Sequence, residues 1–157
     1  MTNNDVLRSF RYALDLKDST LHACFADAGE PLAPAHLAAL LKRDEEPGFE
    51  PLSDTLLSQF LDGFVSLRRG KREPRPGEAP AASVELSNNR ILRAVRIGLE
   101  LKDTDVLAIM SLADTPLSKT ELSALFRRED HRNYQPCGNQ FLRNFLKGLG
   151  LWHRARS

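Results

Sequence analysis

Two arginines three residues apart occur twice in this chain, as Arg8/Arg11 and as Arg93/Arg96. On a helix, residues at that spacing share one side. Two guanidinium groups presented together could grip an anion, and each bears planar donors suited to a carboxylate or a phosphate. A simpler reading stands beside this one. Asp15 lies four residues after Arg11 and Glu100 four after Arg96, so each arginine could close an ion pair on a solvated helix face, contributing a few tenths of a kcal/mol. The sequence favours the solvated face. Other basic residues cluster elsewhere: Arg68, Arg69, Lys71 and Arg72 in one run, and Arg127, Arg128 and Arg132 in another. Both clusters are candidates for phosphate contacts.

Other chemistry is hard to assemble. There is no phosphate-cradling glycine loop, no GxSxG, no HExxH and no CxxC. His22, His36, His131 and His153 are scattered, and none forms an evident ligand pair with a cysteine. Cys24 and Cys137 read as small buried hydrophobes rather than as a disulfide or metal ligands. Asp44-Glu45-Glu46 could hold a cation, but reads as an exposed acidic loop. The expectation is a protein with no catalytic residues, no bound metal and no cofactor: not an enzyme.

The elements that must position these residues are legible because the chain is written twice. Positions 3–64 recur at an offset of 85 as positions 88–149, without a gap, and roughly a third of the pairs are identical. A repeat of this length is an architectural unit. Each copy carries four segments of helical period. The first runs from about Asn4 to Leu16, with Val6, Leu7, Phe10, Ala13 and Leu14 on one face and Thr2 or Asn3 as cap. The second starts with Asp18 as cap and carries Leu21, Cys24, Phe25 and Ala28, ending at Gly29 or, in the second copy, Asp114. The third begins after Ala33 with Pro34 at its first position, or after Ser118 in a Ser118-to-Glu121 capping box, and closes with Lys42-Arg43 or Arg127-Arg128.

An acidic loop follows in the first copy and a mixed one in the second, with Phe49 and Tyr134 at one repeat position. An aromatic held there reads as a lid on the core rather than a stacking platform. The fourth helix is the most hydrophobic, bearing Leu56, Leu57, Phe60, Leu61 and Phe64 in the first copy. Gly63 and Gly148 recur inside it. A helical glycine costs about 1 kcal/mol relative to alanine, so its recurrence predicts close backbone packing, placed by this reading where the repeats meet. The first-copy helix is expected to run through Arg68-Arg69, and the second to end near Leu151-Trp152 before a basic tail.

Charge divides the copies. Positions 1–64 carry a net −6, positions 65–83 a net +3 and positions 84–157 a net +4, which gives the overall +1. Such a split can orient an encounter with an anionic partner or bring two copies together head to tail, although drift of surface charge after duplication would also produce it. The stretch between the copies is rich in Pro, Gly, Ala and charge and reads as a flexible linker. No run of about 18 apolar residues is present, and the opening residues have neither the basic nor the apolar region of a secretory signal. A cytoplasmic protein without a membrane span is expected.

Several of these segments together resemble the YehS-like family. They are the duplicated Asn3-Asn4…Leu7-Arg8…Arg11-Tyr12 opening, Leu41-Lys42-Arg43-Asp44-Glu45, Phe60-Leu61-Asp62-Gly63 with Arg68-Arg69-Gly70-Lys71, and Cys137-Gly138-Asn139-Gln140-Phe141-Leu142-Arg143. The resemblance covers almost the whole chain outside the linker. It implies a bacterial cytoplasmic protein of two tandem units and brings with it no activity, cofactor or site residue. The family pattern leads one to expect a cysteine at the loop in both copies, but the first has Leu52 where the second has Cys137, which argues against a paired-cysteine site.

The sequence thus predicts an all-α protein: two tandem four-helix repeats, residues 1–69 and 87–157, related by pseudo-two-fold symmetry, joined by a flexible linker at 70–86 and packed together as one globule. The expected function is a non-enzymatic binding or regulatory module that engages a protein partner. The alternative is a nucleic-acid-binding protein that uses the basic linker and second repeat. The second and third helices resemble a helix-turn-helix in outline. However, the turn from Gly29 to Ala33 is long for that motif, and the third helix of the first copy is mostly Ala and Leu, which read base edges poorly.

Overall fold

The computed structural model describes residues 1–69 and 86–156. Among them are eight α-helices and no strand: α1 (Asn3–Leu14), α2 (Asp18–Asp27), α3 (Pro34–Leu40), α4 (Asp54–Arg69), α5 (Asn88–Leu99), α6 (Asp103–Leu112), α7 (Lys119–Leu125) and α8 (Asn139–Arg156). They form two compact units, one centred on α1–α4 and the other on α5–α8. The all-α architecture of two four-helix repeats is therefore as the sequence predicts. Residues 70–85 of the expected linker, with Lys71 and Arg72, lie outside the described residues. No helix among the described residues is long and apolar enough to cross a membrane.

Helix starts follow local chemistry. Thr2 caps α1: its hydroxyl accepts from the Asp5 N–H at 3.1 Å while the Asp5 carboxylate accepts from the Thr2 N–H at 3.0 Å. Ser87 caps α5 with one bond only, its hydroxyl accepting from the Arg90 N–H at 3.1 Å. The Ser118–Glu121 capping box at α7 is formed, with both bonds at 3.1 Å. Asp18 and Asp103 are not caps, contrary to the sequence reading. The cap positions are Lys17 and Lys102, and the aspartates occupy the first helical turn, where an acidic group suits the helix dipole.

Helix ends depart from expectation in an instructive way. α1 stops at Leu14, two residues early, because Asp15 turns left-handed (φ 52°) and Glu100 does the same after α5 (φ 55°). The Leu16 N–H then donates back to the Arg11 carbonyl at 3.0 Å, and Leu101 to Arg96 at 2.9 Å. This satisfies carbonyls the helix end would orphan and buries both leucines. α3 ends at Leu40, before Lys42-Arg43. α8 does not stop at Trp152 but continues to Arg156. Cations suit a helix C-terminus, and the Arg156 guanidinium sits 4.4 Å over the Trp152 ring one turn back.

The core of each unit is built on its last helix. α4 packs on α2, and α8 on α6. Gly63 and Gly148 stand at these crossings. A Cβ at Gly63 would fall 1.8 Å from the Cys24 carbonyl oxygen, and one at Gly148 would fall 2.1 Å from the Ile109 carbonyl oxygen. The close packing predicted from the glycines is therefore real, but it lies inside each unit rather than where the repeats meet. Phe60 is set by this approach and packs with Phe25 and Phe10 at ring-centroid distances of 5.2 and 5.6 Å. Phe64 meets Phe10 edge-on at 4.8 Å. In the second unit Val95, Met110, Phe145 and Leu149 are buried at the corresponding positions.

A second constraint ties α1 to the loop before α4. Asn4 is buried among apolar neighbours, yet every polar atom of its amide is used. Its Nδ2 donates to the carbonyls of Leu40 and Glu50, both at 2.9 Å, and its Oδ1 accepts from the Leu52 N–H at 2.9 Å. Asn89 repeats the clasp on Leu125, Gln135 and Cys137 at 3.0, 3.0 and 2.7 Å. The neighbouring Asn3 and Asn88 reinforce it by donating to the Leu52 and Cys137 carbonyls.

Gly63→Ala and Gly148→Ala should each destabilise the protein by about 3 kcal/mol, because overpacking against backbone leaves no side chain to yield. The normal propensity gain of alanine, about 1 kcal/mol, would have the opposite sign. Urea unfolding checks this, and a stabilised variant would contradict the close crossing. Asn89→Ala removes three buried hydrogen bonds and should cost about 3 kcal/mol. Its effect should exceed that of Asn139→Ala, since Asn139 makes a single exposed bond to Asn88.

Candidate functional site

The arginine pairs are placed first by their partners. Arg11 Nε donates to the Leu16 carbonyl at 3.3 Å, and its guanidinium pairs with Asp18 at 2.8 Å. Arg96 does the same with the Leu101 carbonyl at 3.1 Å and with Asp103. Because α1 ends at Leu14 and the chain reverses, Arg11 reaches across the turn to Asp18 rather than one helical turn along to Asp15. Arg11 and Arg96 thus brace the corner between the first two helices of each unit.

Arg8 and Arg93, which occupy one repeat position, differ. Arg8 donates to the Lys42 carbonyl at 2.7 Å and pairs with Asp5. The Asp5 carboxyl is held below its usual range, above all by the Thr2 backbone N–H, with Arg8 contributing. In the second copy the Asp5 position is Arg90. Arg93 is exposed and makes one long bond, 3.4 Å, to the Phe126 carbonyl. The same helix face therefore carries a neutralised arginine in α1 and an open one in α5.

The remaining candidates are spread out. Arg68 is exposed near the end of α4, 5.3 Å over the Phe64 ring, with Arg69 beside it. Arg128 pairs weakly with Asp130 at 3.4 Å, and Arg132 is exposed in the same loop. Arg127 is half-buried and donates to the Asn133 carbonyl at 3.4 Å.

Of these, the structure brings three together. Arg93, Arg96 and Arg127 line a groove of about 570 Å³ between α5 and the end of α7, with Ile97, Leu122, Ser123, Phe126 and Asp103. Ile97 is 41% exposed, and Phe126 is half-buried with the Arg96 guanidinium 4.5 Å over one face. Phe126 and Ile97 are contributors that sequence reasoning missed. The available signal was their replacement of Leu41 and Tyr12 in the first copy. Tyr134 is half-buried nearby, and burial, then the Glu129 carboxylate, raise its phenol above the ordinary value, while Arg93 opposes them.

The cysteines are buried and free, as small hydrophobes would be. Burial pushes both thiols up to about 11. For Cys24 the Arg68 charge works against this and Asp27 with it. His36 meets Glu50 at 3.0 Å, on the surface. No group of three or more His, Cys, Asp or Glu side chains among the described residues could hold a metal ion.

Two helical units of one design, each clasped by an asparagine and crossed at a glycine, define a tandem-repeat all-α protein. The chain belongs to the family described as "Protein of unknown function (DUF1456)", which matches it twice, at residues 3–70 and 88–155. It is also similar to the Escherichia coli (strain K12) protein described as "Uncharacterized protein YehS", 38% identical over 149 residues, covering 95% of this chain and 94% of that one. The resemblance read from the duplicated motifs is thereby borne out. No solved structure matches the chain.

The thiols give a pH prediction. In the folded chain both stay protonated to about pH 11, whereas ordinary thiols ionise near pH 8.5. The unfolded chain then binds fewer protons, so the thiols' contribution is intact below about pH 8.5 and is lost as pH rises toward 11. Urea unfolding at several pH values should show a steeper alkaline decline for the native chain than for a Cys24→Ala, Cys137→Ala variant. Equal slopes would mean the thiols are not buried as described.

Proposed function

We propose that the protein is a non-enzymatic binding module of the cytoplasm that engages a protein partner, with the second repeat as the engaging unit. The observation that carries this reading is the divergence of the two copies on one scaffold. The asparagine clasps and crossing glycines are kept in both. The exposed chemistry of the first-helix face is not: Asp5 neutralises Arg8 in the first copy, while Arg90 replaces Asp5 and Arg93 stays open in the second. A duplicated helical unit with one copy left as scaffold and the other recharged suits recognition better than catalysis.

Nucleic-acid binding through Arg127, Arg128, Arg132 and the linker is the competing reading. Phosphate contacts strengthen steeply as salt falls, and stacking sites offer an open aromatic face. Phe126 has one face already covered by Arg96. The test is crosslinked affinity purification of the tagged full chain from its native cells, with and without nuclease, alongside a salt titration with generic DNA and RNA. The expected result is one protein retained in fixed ratio after nuclease treatment, with crosslinks to residues of the second repeat. Tight oligonucleotide binding at low salt, or loss of the partner on nuclease treatment, would overturn the reading.

A further inference from the structure

The groove between α5 and α7 has a composition that narrows the ligand. Three of its lining residues are arginines and one, Asp103, is a carboxylate already paired with Arg96. Its walls also include Leu122, Ile97 and Phe126, of which Ile97 is exposed to solvent. It is an open groove of about 570 Å³, within the size range of ordinary ligand clefts. A purely anionic ligand would leave the apolar wall unused, and a purely apolar one would leave guanidinium charge without an acceptor. The two charges with spare donors, Arg93 and Arg127, each spend one long bond of 3.4 Å on a backbone carbonyl. Carboxylates form shorter, charge-assisted and often bidentate bonds with guanidinium, so an incoming carboxylate would displace weak contacts and gain strong ones.

We infer that this groove binds an acidic segment of a protein partner, with an apolar side chain seated against Ile97 and Phe126 and flanking carboxylates on Arg93 and Arg127. The inference rests on the binding-module reading above and names the site and ligand chemistry for it. Arg96 is the positioning residue: its bonds to the Leu101 carbonyl and Asp103 fix the α5–α6 corner, and its cation–π contact fixes the Phe126 ring. In the first copy the corresponding residues are Arg8, Tyr12, Leu41 and Lys42. There Arg8 is consumed by Asp5, and the Lys42 ammonium donates to the Pro47 carbonyl at 2.7 Å, so the same scaffold does not offer the same site.

The probe is a short synthetic peptide, capped at both ends, with two glutamates on each side of one phenylalanine. Fluorescence anisotropy with the full chain at low salt should give saturable binding that weakens as salt rises through the range where the Debye length falls to about 10 Å. Replacing the peptide's phenylalanine by alanine should weaken binding several-fold. Arg93→Glu with Arg127→Glu should weaken it about tenfold or more. Arg93→Lys should produce an intermediate loss, because a point charge replaces a planar fork. Circular-dichroism melting of each variant establishes that it is folded, and Arg128→Glu, outside the groove, serves as the charge control. No saturable peptide binding, equal loss from Arg128→Glu, or competition by an equal concentration of an oligothymidylate would overturn the inference. The partner captured in the preceding experiment separates the two levels. If the charge-reversed variant still retains it, the groove assignment fails and the module reading stands; if the native chain captures nothing, it is the module reading that fails.

Discussion

The contact on which each unit depends is the bare backbone crossing of its last helix over its second. At Gly63 and Gly148 there is no room for even one carbon beyond Cα. Such an approach sacrifices the helix propensity of alanine, about 1 kcal/mol, and recovers it by letting the longest helix of the unit sink into the others. The depth of that seat determines the rest. It puts Phe60 within reach of both Phe10 and Phe25, and it lets Phe145 be fully buried at the same place in the second unit. The first helix and the loop before the last helix are held by the asparagine clasp.

With the scaffold fixed twice in this manner, the two copies were left free to differ where neither constraint acts. The corner arginines, Arg11 and Arg96, are not free: each bonds a carbonyl in the turn and a carboxylate at the start of the next helix. The residues one turn earlier are. Arg8 faces Asp5, and Arg93 follows Arg90. The acidic balance of the first copy and the basic balance of the second are therefore reflected on one particular helix face, not only in overall charge.

Much of this was legible in the sequence, for physical reasons that can be named. Helical period and the gap-free offset fixed the number and order of helices, because apolar faces must be buried in each copy alike. The glycines announced a close approach because their cost had to be offset somewhere. Their partner could not be read, since sequence gives proximity no address. Asn4 and Asn89 were missed as clasps because an asparagine near a helix start has a competing local explanation, the cap. The Arg11–Asp15 pairing failed because Asp15 itself turns left-handed and ends the helix, as Glu100 does in the second copy, without the glycine that would have signalled such a turn. Arg127 could be recognised as basic but not as a neighbour of Arg93, which requires the end of α7 to meet α5.

The asparagine clasp has a consequence for how a unit is held closed. Its amide closes a stretch of 48 residues, from Asn4 to Leu52 and from Asn89 to Cys137, the role a cross-link plays in many small domains. Unlike a disulfide, it leaves the unfolded chain unrestrained, so all its stabilisation belongs to the folded state. The amide cannot be half satisfied at little cost, because any of its polar atoms buried without a partner is expensive. The closure is therefore an all-or-none contact, and it is as available in reducing surroundings as in oxidising ones. A unit that carries its own latch in one helix and one loop can be copied whole, and a single duplication delivers two finished closures.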